Sequence, residues 1–449
     1  MIICVTNLSE LAQALPLQLS SVMLDWSGKI VSNNSTNHFR HIDYIKITVF
    51  GFALAALWGS LHTFIIQLRL LGLVAESEKT LWLGVLTLAG LLLAMVVQPI
   101  VGAISDRSGF SWGRRRPYIL VGTILAILFL PGIGLSGSYV TLLIVYCLLQ
   151  VSCNTAQGPY QAFIPDLVPK GRRGVASGVK GFLEILGGLA LVRLIASLMG
   201  RYFGGEGSLW LWLSLAALGI VLLSTMLATV LTVKERPWAG GSPLPLLPTL
   251  YRSFKIDIKA SPDFILFLVS RFLILTALAT LQRYALYFLI DVVGVANPVE
   301  VTGDLLIVVG ICLLVVVYLA GWLSDRIGRR PVVVFSGLLG ALGILLLLFS
   351  HDYGYIMFCG VLLGISGTAF MSSNWALATD FVAKGEEARY LGLTNLATAG
   401  SGALVGLMGL AIYFLNVSIP GVGYKVMLGA CFIYFIVGSV LLMKIKERS

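Results

Sequence analysis

Hydrophobic residues in this chain come in long unbroken runs, not in the short alternation of a soluble domain. Runs of about 20 apolar residues, enough to cross roughly 30 Å of hydrocarbon, lie near 47–68, 81–104, 117–136, 139–164, 174–200, 209–233, 263–290, 302–323, 331–350, 354–379, 390–415 and 422–443. The pattern predicts an all-α integral membrane protein with twelve transmembrane helices. Polar turns between the runs are short except for one break at 234–262. The chain therefore reads as a tail (1–46), a six-helix bundle (47–233), a linker (234–262), a second six-helix bundle (263–443) and a tail (444–449).

Two of the turns repeat each other. Gly102-x-x-x-Asp106-Arg107 and Gly113-Arg114-Arg115-Arg116-Pro117 return as Gly321-x-x-x-Asp325-Arg326-x-Gly328-Arg329-Arg330-Pro331, with Pro331 lying 214 positions after Pro117. Asp380 follows Asp166 by the same distance. A duplicated half-protein accounts for both spacings.

Composition and charge sharpen this picture. Hydrophobic residues make up 58% of the chain and charged residues 12%, and the mean hydropathy is +0.93, far from the soluble range. If both termini lie in the cytoplasm, the tails and even-to-odd turns hold 23 of the 31 Lys and Arg residues, against four in the opposite turns. That asymmetry orients the protein. The net charge of +10 is then a topology signal and not a nucleic-acid footprint. Residence in a plasma or inner membrane is expected.

Other segments say less. The linker holds a Gly/Pro-rich piece around Gly240, Pro243, Pro245 and Pro248, then a basic amphipathic stretch, Leu250 to Lys255, suited to the inner leaflet surface. No basic region precedes the weakly apolar Leu11–Leu24, so a flexible tail, or a true start at Met23, fits better than a signal peptide. Five of the six cysteines fall inside spans and read as packing residues. No metal-ligand cluster, nucleotide-binding glycine loop or nucleophile–base constellation is visible, so no cofactor and no enzymatic chemistry is expected.

The doubled Gly-x-x-x-Asp-Arg … Gly-Arg-Arg turn, the twelve runs and the long central break resemble the major facilitator superfamily of secondary transporters over essentially residues 44–449. The stretched first copy, Ser111-Trp112-Gly113-Arg114-Arg115-Arg116-Pro117-Tyr118-Ile119, is similar to the branch of plant sucrose–proton symporters, their animal relatives and glycoside–cation symporters. So is Asn154-x-x-Gln157-Gly158-Pro159-x-x-Ala162-x-x-x-Asp166-Leu167. In plant sucrose carriers this segment bears an Asp and an Arg tied to sugar and proton binding; Gln150 and Gln161 stand there in this chain. The resemblance implies a sugar-like solute more directly than it implies proton coupling at that helix.

Polar residues inside the runs supply the candidate chemistry. Gln150, Asn154, Gln157 and Gln161 recur at i, i+4, i+7 and i+11, which at about 100° per residue confines them to one strip of the fourth helix. Amides facing lipid would go unsatisfied, so the strip faces other helices or a watery cavity. It either ties the bundle together or lines the solute path, where amides suit hydroxyl-rich ligands. The seventh helix carries Thr276, Thr280, Arg283 and Tyr287 on one strip and Arg271 with Gln282 on another; the first carries Ser60, Thr63 and Gln67, with His62 and Arg69 elsewhere. Arg283 and Arg69 lie within reach of helix ends, where snorkelling is the plain alternative. Trp375, beside Asn374, could stack on a sugar ring or anchor at the interface. The candidate solute-binding set is Gln67, Gln150, Asn154, Gln157, Gln161, Arg271, Gln282 and Trp375.

Lys180 and Glu184, at i, i+4 on the fifth helix, form a structural ion pair or a proton-coupling site, with His62 as a second proton candidate. The duplicated turns point to gating by Asp106, Arg107, Arg114, Arg115 and Asp166, and by Asp325, Arg326, Arg329, Arg330 and Asp380. A carboxylate at a helix C-terminus needs a basic neighbour, and such contacts break when the halves rock. The expectation is a monomeric, proton-coupled symporter of a small polar, glycoside-like solute working by alternating access. An exporter of amphipathic or pigment-like compounds would instead show an aliphatic and aromatic cavity. A receptor or assembly factor would show no continuous cavity.

Overall fold

In the computed structural model, the described residues are 22–24, 30–32, 40–106, 108–169, 172–235, 262–349, 352–381 and 387–445. Arg107 and almost all of the expected linker, including the basic stretch at 250–255, lie outside them, as do the side chain of Asp380 and most of the N-terminal tail. Twelve helices are long and apolar enough to cross a membrane: α1 (His41–Leu71), α2 (Lys79–Asp106), α3 (Arg116–Leu135), α4 (Tyr139–Gln161), α5 (Arg173–Phe203), α6 (Leu209–Thr232), α7 (Pro262–Val293), α8 (Pro298–Ile327), α9 (Arg329–Leu347), α10 (Tyr353–Asp380), α11 (Glu387–Ser418) and α12 (Val422–Met443). The apolar runs thus foretell each membrane-crossing helix among the described residues.

Local chemistry marks the ends. Ser138 and Thr141 build a reciprocal capping box at the start of α4. Pro117 and Pro298 sit in the first turns of α3 and α8, where a missing N–H costs nothing. The tight turns before α3 and α9 pass through Gly113 (φ +133°) and Gly328 (φ +96°), which explains the glycine in both copies of the repeated motif. Ahead of the helices, the described residues form one antiparallel strand pair, β1 (Val22–Leu24) against β2 (Ile30–Ser32), built on apolar and β-branched residues; the rest of the tail lies outside the described residues.

Lipid gives helices no hydrophobic reason to associate, so small residues and hydroxyls make the close contacts. A Cβ at Gly122 of α3 would come within 2.7 Å of the Ser152 carbonyl of α4, and one at Gly187 of α5 within 2.2 Å of the Phe52 carbonyl of α1. Ser270 of α7 donates to the Gly438 carbonyl of α12, and Ser366 of α10 to the Ser336 carbonyl of α9.

The first and last six helices meet at one membrane face. At the Lys79 end of α2, a Cβ at Gly84 would lie 2.4 Å from the Gly406 carbonyl of α11, and one at Gly409 would lie 2.4 Å from the Thr80 carbonyl. Between α5 and α8, Gly303 packs on Ala196 and Gly310 on Leu189, and Arg193 pairs with Asp304 at 3.4 Å. Toward the Asp106 face the same helices diverge: Gly102, Gly174, Gly178 and Gly181 meet nothing within 4 Å among the described residues. The described helices are thus closed at the Lys79 face and open at the Asp106 face.

Candidate functional site

The polar centre begins with a break in α1. Residues Leu61–Ile65 form a π-helical turn in which the Ile66 amide reaches back to the Leu61 carbonyl. The His62 carbonyl thereby loses its usual helical donor, and side chains replace it: Gln67 Nε2 donates to it at 2.9 Å and Arg283 Nη1 of α7 at 3.5 Å. Gln67 Nε2 also donates to the Arg283 carbonyl at 2.9 Å, and Tyr287 Oη donates to the Gln67 carbonyl at 2.9 Å. A π-turn here stitches the first half to the second. Arg283 does not snorkel to a helix end; its guanidinium turns back into this junction. Arg69 ties α1 to the end of α3 instead, donating to the Ile133 and Ser136 carbonyls.

His62 stacks on Trp58 with ring centroids 5.1 Å apart, and its Nε2 lies 3.0 Å from Tyr146 Oη of α4. Gln150 Nε2 donates to the same phenol at 2.7 Å, and Asn154 Nδ2 donates to Gln150 Oε1 at 3.1 Å. Two of the four strip amides thus form a buried chain that ends at His62. Gln157, next along the strip, is half-buried. Gln161 is exposed and accepts from Gln98 of α2 at 3.0 Å. Tyr146, the hub of the chain, carries no sequence signal among so many apolar aromatics.

Arg271 forms a second polar group. Its guanidinium, 3% exposed, bonds Asn374 Oδ1 of α10 and Thr398 Oγ1 of α11 and lies 5.5 Å from the Trp375 ring centroid. Its hydrogen-bond partners are thus neutral. The Nδ2 of Asn374, itself fully buried, has no hydrogen-bond partner among the described residues.

A cavity of about 650 Å³ opens between α7, α8, α10, α11 and α12 and reaches α1 at Thr63. Its wall is mostly leucine and glycine. Of the eight residues expected to bind solute, only Gln282 borders it; Gln67, Gln150, Asn154, Gln157, Gln161, Arg271 and Trp375 do not. The reason is visible for the strip, whose buried amides are engaged with one another and with Tyr146. Three of the hydroxyls on the wall have their protons committed: Thr302, Thr398 and Ser401 donate to carbonyls of their own helices.

The Lys180–Glu184 pair is present at 3.6 Å but is not deeply buried; its side chains are 24% and 40% exposed. It sits beside α1, with Lys180 over the Tyr160 ring and Glu184 near Gly51. A better shielded pair lies elsewhere. Lys79, 3% exposed, meets Asp291 at 2.5 Å; Asp291 also accepts from Tyr424 Oη of α12 at 2.6 Å. This pair spans the halves at the closed face, and Asp291 sits in a second π-turn, Leu289–Val293. Sequence reading missed it because both residues lie at the margins of apolar runs, where charges reach water in isolation.

Of the two copies of the turn, the first is closed by ion pairs. Arg115 binds both Asp106 and Asp166, the latter at 2.9 Å, and Arg114 binds Asp166 at 2.6 Å. Glu235 adds a brace absent from sequence reasoning, accepting from the backbone amides of Arg115 and Arg116. In the second copy Asp325 is exposed and makes no ion pair with the described residues. Arg326 lies 4.2 Å from the Trp322 ring centroid. Among the described residues, Asp106 is paired where its counterpart Asp325 is not.

The profile of the family described as MFS/sugar transport protein matches residues 79–442. The rice (Oryza sativa subsp. japonica) sucrose transport protein SUT1 is 37% identical over 131 residues, 24% of this chain and 23% of that protein, so the match spans about a quarter of that relative's length. The uncharacterized symporter YnaJ of Bacillus subtilis is 25% identical over 357 residues, 75% of this chain and 73% of that one. Among solved structures, a D-xylose–proton symporter superposes with a TM-score of 0.67 at 16% identity, covering 91% of this chain and 98% of that one.

Proposed function

Because this chain belongs to the MFS/sugar transport protein family, we propose that it carries a hydroxyl-rich, sugar-like solute by alternating access, with a proton as co-substrate. The observation that carries this reading is the buried chain Asn154–Gln150–Tyr146–His62, joined across the halves through Gln67 and Arg283. Neutral amides and phenols both donate and accept, as a polyol requires, and solute held there contacts the two units that must rock, 47–233 and 263–443. The bias of basic residues supports a cytoplasmic Asp106 face, and on that reading the carrier opens inward. Glu184 with Lys180, and His62, are the groups proposed to take the proton.

The likeness to sucrose and xylose carriers supports the solute class. Uptake of radiolabelled sugars into proteoliposomes, with and without an imposed pH gradient, tests the reading. Gln157→Leu removes a strip amide that has no hydrogen-bond partner among the described residues, and it should weaken uptake about tenfold while leaving yield intact. Unchanged uptake would reduce the strip to bundle packing. A second reading, a carrier of amphipathic compounds, is favoured by the apolar cavity.

A further inference from the structure

The cavity beside the polar centre is the wrong chemistry for a sugar alone. Its wall includes Leu278, Leu281, Leu305, Leu306 and Val309, and Thr302, Thr398 and Ser401 have their hydroxyl protons committed to backbone carbonyls. Gln282, Thr63 and Thr368 are the remaining side chains on the wall with a proton to donate. A hexose buried there would bring more hydroxyl oxygens than these donors could partner. Each one left unpaired weakens binding by about tenfold. At about 650 Å³ the space falls within the range of pockets for whole small ligands.

The cavity wall nevertheless carries polar side chains from both halves. Thr63 of α1 and Gln282 of α7 line it together with Thr368 of α10. A ligand lying there would meet hydrogen-bonding groups at one end and leucine at the other. The geometry points to an amphipathic solute: its polar head held at Thr63 and Gln282, and its apolar body, a chain or ring system, seated among the leucines of α7 and α8. The inference rests on the solute-carrier reading above and narrows its substrate class. Burial of apolar area then supplies affinity that a plain sugar cannot obtain here.

The test uses the full chain in lipid nanodiscs and a series of alkyl β-glucosides from methyl to hexyl, with empty nanodiscs subtracted. Affinity should rise about fourfold per added methylene, the increment for burying one CH₂. In Val309→Phe, which fills the space, the hexyl-to-methyl affinity ratio should collapse toward unity. Leu306→Asn, which leaves the volume and changes its polarity, should lower the same ratio and guards against misfolding of the filled variant. Methyl and hexyl glucosides binding equally to the wild type would overturn the inference while sparing the sugar reading. A chain-length slope that survives both substitutions would overturn it too, by assigning the gain to the bilayer. Hexanol binding as tightly as hexyl glucoside would keep the apolar seat and remove the sugar.

Discussion

The Lys79–Asp291 pair should set which face of the carrier is closed. Lys79→Met leaves Asp291 with the Tyr424 hydroxyl alone. Removing one partner of a well-buried pair costs about 3–5 kcal/mol. Asp291 keeps one charge-assisted hydrogen bond and is 21% exposed, which brings the cost to about 2 kcal/mol. It falls only on conformers closed at this face, because opening parts the residues in any case. The population open at the Lys79 face should therefore rise about thirtyfold. Ala196→Cys, fully buried between α5 and α8 in the closed state, reports that population in a background without other cysteines. Its labelling by a membrane-impermeant maleimide should accelerate about thirtyfold in Lys79→Met. Lys79→Met with Asp291→Asn removes both charges and should return the rate to within a few-fold of the parent, since a buried pair and a neutral one of similar shape are nearly equivalent. Labelling of the single variant within twofold of the parent would refute the reasoning.

Three further outcomes are expected. Glu184→Gln should cost less than about 1 kcal/mol of stability, because the pair with Lys180 is partly exposed; if Glu184 carries the proton, accumulation of solute is lost while exchange of internal for external solute persists. Gly409→Val should raise Ala196→Cys labelling and depress uptake, because its first side-chain carbon already lies 2.4 Å from the Thr80 carbonyl and the Tyr284 hydroxyl. Arg115→Lys keeps the charge but loses the fork that reaches Asp106, Asp166 and Ser105 together. Thermal unfolding should show a loss of about 2 kcal/mol, and full stability would mean that Arg114 alone suffices.

The twelve helices were legible in the chain because lipid imposes a length and polarity rule on every span, and no tertiary contact is needed to satisfy it. The turn before α3 was equally legible: Gly113, Arg115 and Asp166 lie close in the chain or at one membrane level, so charge and backbone rules suffice. What only the tertiary structure decided is which polar residues meet. A π-turn at Leu61–Ile65 frees the His62 carbonyl for Gln67 and Arg283, and helical periodicity cannot register it. Asp291 and Lys79 lie 212 positions apart and find each other only because the halves close at that face. The amide strip of α4 was legible as a periodicity, but periodicity does not say that its buried amides bond each other and Tyr146, while the adjoining cavity is walled with leucine. Apolar side chains look the same in sequence whether they face lipid, a neighbouring helix or an enclosed space; only packing separates the three.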